Sequence, residues 1–278
     1  MVAPSLTDGG LAAAFAGGTL ESFAAGTMEW RFEVGVASRE GILAAFIARN
    51  GGKTAPTAVE GNAGFLRAFA DRVDMAERIP AQLGKNWEIM HAGFKPYPVC
   101  AANQSPIMSM IDLAKEKGLE AENIHRIRIR VKPSEYRYPG LNFRGPFRTV
   151  GATLMSTPFC LALACVEKDV TLQGLGQLTN PEILALIELI EHIPDEQIPA
   201  LSCVIEVETK TGKTFVKKMM TSPDYYNFEL PQVVKTVNKA TSETGVNPLR
   251  VREFIELVNN VQDARSIQAL VESLSPCP

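Results

Sequence analysis

The chain reads as mainly α with an inserted α+β domain, and three observations predict it. Up to about residue 90 the segments are helical and rich in Ala and Gly. Between about 93 and 221, one strictly alternating stretch and one hairpin signature appear among further helices. Beyond 225 the amphipathic helical spacing returns. The order predicts three stretches, 1–92, 93–224 and 225–278. The first and third are two parts of one helical domain, and the middle one is an α+β module with a small antiparallel sheet.

Residues 8–25 are dominated by Ala and Gly, a composition that suits a helix packed closely on its neighbours and suits an isolated helix poorly, since Gly costs about 1 kcal/mol against Ala. The segment Gly35 to Asn50 presents small residues at Ala37, Gly41, Ala44 and Ala45 and ends at Gly51-Gly52, a ready C-cap. A third helix is predicted over Ala63 to Val73. Few large apolar anchors occur in this part of the chain, so its helices need partners to cover them.

Ser105 and Pro106 predict an N-cap and first helical position, opening a helix to Gly118 with Ile107, Met110, Ile111 and Ala114 on one face. From Ile124 to Val131, Ile127, Ile129 and Val131 alternate with Arg126, Arg128 and Arg130, which predicts a strand with one buried and one basic face. The arginines form either an anion-binding surface or a solvated sheet face. Pro133 to Pro146 is a long turn-rich loop carrying Tyr136, Tyr138, Asn142 and Arg144. A helix starts near Thr149, and Ser156-Thr157-Pro158 either kinks it or opens a second one to about Lys168. Asn180-Pro181 opens another, with Ile183, Leu184, Leu186, Ile187 and Ile190 inward, closing near His192. Cys203 to Lys210 and Thr214 to Met220 flank Thr211-Gly212-Lys213 as a β-hairpin. Helices then follow near Leu230 to Thr241, Asn247 to Val261 and Ala264 to Leu274.

With 278 residues and 46% hydrophobic content the chain can bury sizeable cores. A net charge of −3 offers no field for phosphate backbones or anionic lipid, so nucleic acid is not an expected partner. No window reaches the roughly 18 apolar residues of a transmembrane helix, and no charged n-region with an apolar core opens the sequence, so the expected location is the cytoplasm. Cysteines at 100, 160, 165, 203 and 277 are irregularly spaced and odd in number, which fits free thiols in a reducing compartment. No metal-ligand cluster, phosphate-binding Gly loop or nucleophile triad is present, so neither a metal nor a cofactor is expected.

The chemistry-bearing stretch is Gly93 to Pro106, GFKPYPVCAANQSP. Its prolines fix φ and push the preceding residues toward extended conformations, so Lys95 and Tyr97 are held on a stiff loop. That loop aims an ammonium, a phenol and the Cys100 thiol, with the amides of Asn103 and Gln104 on the next turn. An interdomain linker with a snorkelling lysine has the same residue types. His91 precedes the loop by four residues and lies within reach of it. His125 at a strand start and His192 at a helix end read as structural.

The KPYP segment resembles the MmgE/PrpD family, which includes 2-methylcitrate dehydratase, cis-aconitate decarboxylase and iminodisuccinate epimerase. Gly26 to Gly35, the GNAGFLRAF run at Gly61 to Phe69, and Thr149 to Ala164 with Ser156-Thr157-Pro158-Phe159 resemble further landmarks in the family's order. The resemblance implies an incomplete helical domain plus an inserted lid domain. It also implies a lyase, dehydratase or decarboxylase, that acts on a small di- or tricarboxylate without a cofactor. A dicarboxylate epimerase and a catalytically silent remnant are the alternatives. Against the family, the chain begins in what resembles the middle of the helical domain, so either a second chain completes it or it is a fragment. A homodimer or a complementing chain is the expected partner state.

Such reactions require cations to neutralise substrate carboxylates and an acid or base beside the reacting carbon. Lys95 is the candidate for binding and charge stabilisation, and Tyr138, or failing that Tyr136, for a phenolic acid. Gln104 and Asn103 can donate amide hydrogen bonds. Where relatives carry a GxxxKRxHxG segment, Trp30 replaces the lysine and Glu33 the histidine, while Arg31 is kept. Arg31 is thus a candidate carboxylate clamp and Glu33 a candidate base, or the two form a surface pair on a helix entry. The candidate set is Lys95, Tyr138 and Glu33 for catalysis, with Arg31, Gln104 and His91 for substrate binding.

Overall fold

The computed structural model describes residues 6–221 and 226–274. Cys277 therefore lies outside the described residues. The chain falls into two compact units, Met1–His91 and Ala92–Pro278. The architecture is mainly helical with one small mixed sheet.

In the first unit the Ala/Gly-rich stretch is two helices, α1 (Leu6–Phe15) and α2 (Glu21–Ala25). Gly18 sits at φ +107 in the break, a conformation that a side-chain-bearing residue rarely adopts. The third helix, α3, spans Glu29–Arg49 and so starts earlier than its small-residue pattern predicts, taking Trp30, Arg31 and Glu33 into its first turns. The segment predicted over 63–73 contracts to α4 (Phe65–Ala70). Ala44 and Leu66 are the buried apolar side chains among the described residues of this unit. Phe32, Val36, Ile42 and Phe46 stand exposed along α3, in keeping with the expected shortage of anchors.

In the second unit α5 runs Gln104–Lys117 and ends on Gly118 in the left-handed conformation at φ 61. It begins one residue before the predicted cap. Ser105 does not cap it; its Oγ bonds instead to the Leu201 carbonyl and, at 2.9 Å, to the Tyr226 hydroxyl. A buried hydroxyl with tertiary partners has no need of the local cap geometry. The strand β1 (Ile124–Val131) matches its prediction, with Ile124, Ile127, Ile129 and Val131 buried. On its other face Arg126 pairs with Glu208 at 2.8 Å, and Arg128 pairs with Glu191 at 3.2 Å and with Glu206. These two arginines belong to a solvated, charge-paired sheet face, where solvent screening leaves each pair little net effect on stability.

A single turn, α6 (Pro133–Tyr136), interrupts the loop after β1. Next come α7 (Val150–Met155) and α8 (Thr157–Glu167), each capped by the hydroxyl that its sequence advertised. Thr149 accepts from Ala152 N–H and Ser156 from Phe159 N–H. Ser156-Thr157-Pro158 therefore opens a second helix. Its residues from Thr157 to Cys165 are all buried, which makes α8 the central pillar of the core together with Ile107, Met110 and Leu113 of α5. A short α9 (Leu172–Leu175) follows.

The Asn180-capped helix, α10, covers Pro181–Ile187 and stops well short of His192. Its place is taken by a strand, β2 (Ile190–Pro194), which pairs in parallel with β1. The run from Ile183 to Ile190 is apolar enough to serve either period, and the open edge of β1 decides between them. The sheet order is β2-β1-β3-β4, where β3 (Cys203–Thr209) and β4 (Thr214–Met219) form the predicted hairpin. It is therefore mixed, and the expectation of a purely antiparallel sheet is corrected. The tail helices α11 (Leu230–Thr244), α12 (Pro248–Asn259, capped by Asn247) and α13 (Gln268–Ser273) fall within the second unit. Among the described residues no helix is long and apolar enough to cross a membrane.

His192 is thus a strand residue. Both ring nitrogens are shielded and have no hydrogen-bond partner among the described residues, and the ring meets Tyr136 edge-on at 5.1 Å. Burial, helped by Arg144, pushes its pKa down to about 4. The unfolded chain takes this proton near pH 6.5, so the unfolded state binds more protons between the two values and stability falls as pH falls. Lowering the pH from about 7 to about 5.5 is expected to cost about 1 kcal/mol through this residue. Urea unfolding of wild type and His192→Leu at both pH values checks it; equal losses in the two proteins contradict it.

Candidate functional site

The loop from Gly93 to Cys100 is pinned at both ends. At its start Phe94 N–H donates to the Tyr226 carbonyl at 2.7 Å, and a Cβ on Gly93 would come within 2.9 Å of the Tyr226 side chain, so only glycine allows this approach. At its end Cys100 N–H donates to the Leu154 carbonyl at 3.2 Å. Asn103, fully buried, donates to the Met155 carbonyl at 2.8 Å and accepts from the Thr157 hydroxyl at 2.7 Å. These bonds fasten the start of α5 to the α7–α8 junction.

Gln104 locks the middle. Its Oε1 accepts from Tyr97 N–H at 3.1 Å, and its Nε2 faces the carbonyls of Tyr97, Val99 and Cys100 at 3.0, 3.3 and 3.4 Å. With 1% of its surface exposed, it is a clamp on the loop backbone. The expected amide donor to substrate is engaged within the protein.

Lys95 leaves this rigid loop exposed and makes no ion pair among the described residues. It lines a cleft of about 200 Å3 with Tyr97, Val170, Leu172, Lys239 and Glu243. The second lysine is neutralised: Lys239 Nζ lies 2.5 Å from Asp169 and 5.3 Å from the centre of the Tyr97 ring. The Glu243 carboxylate accepts from Leu172 N–H at 2.6 Å. Among the described residues, Lys95 is therefore the uncompensated cation of the cleft.

Two further groups, Glu135 and Tyr138, interact electrostatically with Cys100. Burial pushes the Cys100 thiol up, the Lys95 ammonium pulls it down, and the Glu135 carboxylate pushes it up. Tyr138, 38% exposed, is raised first by burial and then by Cys100, so its phenol stays protonated at neutral pH. Glu135 is raised by burial, against the opposing pull of Leu201 N–H and Lys132. Lys95 and Tyr138, both singled out by sequence, each interact electrostatically with Cys100. Tyr136 is drawn off by its contact with His192.

Glu135 carried no signal in the sequence beyond its place in a turn-rich loop, because nothing local separates a half-buried glutamate from a surface one. The remaining three candidates belong to the first unit. The Arg31 guanidinium lies over the Trp30 ring at 5.3 Å. Glu33 accepts from Thr19 N–H at 3.2 Å, fastening the chain between α1 and α2, and no ion pair joins it to Arg31 among the described residues. His91 meets the Asn86 side-chain oxygen at 2.9 Å. Cys100, Cys160, Cys165 and Cys203 are all free thiols, and burial raises the last three far above the ordinary range. No group of three or more His, Cys, Asp or Glu converges on a metal-sized site among the described residues.

Residues 97–229 match the MmgE/PrpD C-terminal domain. A comparison with curated proteins found no match.

Proposed function

We propose that the chain, whose residues 97–229 match the MmgE/PrpD C-terminal domain, is a lyase of that family acting on a small di- or tricarboxylate. The observation that carries this reading is Lys95, an ammonium on a clamped loop with no ion pair among the described residues, which lines a small cleft and acts on the Cys100 thiol that in turn acts on the protonated Tyr138 phenol. Loss of water from a carbon pair next to a carboxylate builds negative charge on the carbon that loses its proton. An ammonium held in place stabilises that charge without having to reorganise. Tyr138 then supplies the proton that lets the hydroxyl depart as water. Both groups are side chains of this chain, and the reaction so drawn uses no cofactor. Lys95 binds the substrate carboxylate, and Gln104 acts through the loop as a positioning residue.

Proton NMR in deuterated water tests the reading, with 2-methylcitrate, cis-aconitate and iminodisuccinate as probes. The expected result is loss of starting signals with new product signals from at least one of them. Unchanged spectra for all three, at enzyme concentrations comparable to substrate, overturn it.

A further inference from the structure

We propose that Glu135 is the base that takes the carbon-bound proton, with the Leu201 peptide as the rivet that aims it. The proposal rests on the lyase reading and fills the role that Lys95 and Tyr138 leave open.

Glu135 sits on α6, one turn before Tyr138, whose N–H donates to the Glu135 carbonyl at 3.0 Å. Its two oxygens have different fates. Oε1 accepts from Leu201 N–H at 2.6 Å, whereas Oε2 is shielded from solvent and has no hydrogen-bond partner among the described residues. A carboxylate present only for stability satisfies both oxygens or leaves one in water, because an unpartnered buried one is costly. Here one oxygen is fixed by the Leu201 peptide, and the other meets no protein donor among the described residues, so its lone pairs are not committed within the fold.

Leu201 supplies an independent observation. It holds φ +57, a left-handed conformation that a leucine avoids, and such strain persists where the surroundings over-determine it. Its N–H is held by Glu135, and its carbonyl by the hydroxyls of Ser105 and, at 3.0 Å, Thr221. Ser105 also bonds the Tyr226 hydroxyl at 2.9 Å, and the Tyr226 carbonyl receives Phe94 N–H, the residue before Lys95. One strained residue therefore ties the acid–base carboxylate to the root of the ammonium loop. The charged and titratable groups acting on Glu135 or feeling it are Lys132 at the end of β1, Cys100 on the loop and Cys203 on β3.

The step balances as follows. The Glu135 carboxylate takes the proton from the carbon next to the substrate carboxylate, and the C–H electron pair stays on that carbon, its charge shared with Lys95. The neighbouring C–O bond then breaks, the hydroxyl takes the Tyr138 phenolic proton and leaves as water, and a double bond forms. The proton on Glu135 returns to the tyrosinate through solvent, restoring both groups.

The test uses the full chain as wild type, Glu135→Gln and Glu135→Asp, with whichever of the three probes above the wild type turns over. Glu135→Gln keeps an acceptor for Leu201 N–H, so circular dichroism and melting are expected to stay close to wild type. Solvent deuterium exchange into substrate and kcat are expected to fall about 100-fold or more, with KM changed by less than about threefold. Glu135→Asp is expected to recover part of the rate. The rise of kcat/KM with pH on its acidic limb, set by deprotonation of this carboxyl, is expected to vanish in Glu135→Gln. A folded Glu135→Gln protein that retains exchange and the acidic limb overturns the role of Glu135 alone. A wild type inert toward all three probes overturns the lyase reading itself, so the two failures are distinguishable.

Discussion

Replacing Lys95 with alanine is expected to lower kcat/KM by about 10²- to 10³-fold while leaving the melting transition almost unmoved. The asymmetry follows from the structure. The side chain is exposed and makes no ion pair among the described residues, so folding gains nothing from its charge, and the stability change should stay within about 0.5 kcal/mol. The loop is held by the backbone bonds of Phe94 and Cys100 and by Gln104, and Lys95 makes none of these, so the loop survives the truncation. On the proposed reading the loss falls on the substrate: among the described residues lining the cleft the other cation, Lys239, is neutralised by Asp169. Lys95→Arg keeps the charge but spreads it over a planar fork on a longer arm, and is expected to recover only part of the rate. Steady-state kinetics on a turned-over probe, with thermal melts of the same samples, check all of this. Kinetics unchanged in Lys95→Ala refute the role given to the ammonium.

What the sequence disclosed, and what it hid, divides along the range of the interactions involved. Thr149, Asn180 and Asn247 advertise helix starts because an N-cap is satisfied within three residues, and all three cap as expected, while Ser156, open between a kink and a second helix, caps the second helix. The alternation of Ile and Arg in β1 is equally local, since one face of a strand is decided by its own residues. Ser105 has the same credentials as those caps and fails, because Leu201 and Tyr226, roughly a hundred residues away in sequence, offer its hydroxyl a better position. The strand β2 escapes for the same kind of reason: the five residues Ile190–Pro194, which carry no strand alternation of their own, become a strand only because β1 presents an open edge. At the site, prolines flanking Lys95 and Tyr97 disclosed a stiff loop, but not that a glutamine does the stiffening. Glu135 stayed hidden because its importance lies in one buried oxygen and a strained peptide 66 residues downstream.

The second large effect is expected at Gln104, from a residue that touches no substrate. Alanine there removes the acceptor of Tyr97 N–H and the donor facing three carbonyls, inside a site with almost no access to water. Leaving such groups unpaired costs about 1–3 kcal/mol, so Gln104→Ala should melt at a lower temperature. Its kcat/KM is expected to fall up to about 100-fold as well, because a displacement near 1 Å of the loop carrying Lys95 is enough for that. Gln104→Glu separates hydrogen bonding from volume. It keeps the oxygen that serves Tyr97 N–H but turns a second oxygen toward the three carbonyls that a donor occupied. Ionised, it buries a charge against carbonyl dipoles; protonated, it regains one donor. The folded protein therefore holds that proton more tightly than the unfolded chain does, and the stability of Gln104→Glu is expected to rise as pH falls toward about 5. Wild type moves the opposite way over the same range because of His192. Urea unfolding of both proteins at about pH 7.5 and about pH 5 reads the sign directly. Parallel losses on acidification mean that the carboxamide is not the clamp, and that the rigidity of the Lys95 loop comes from its prolines alone.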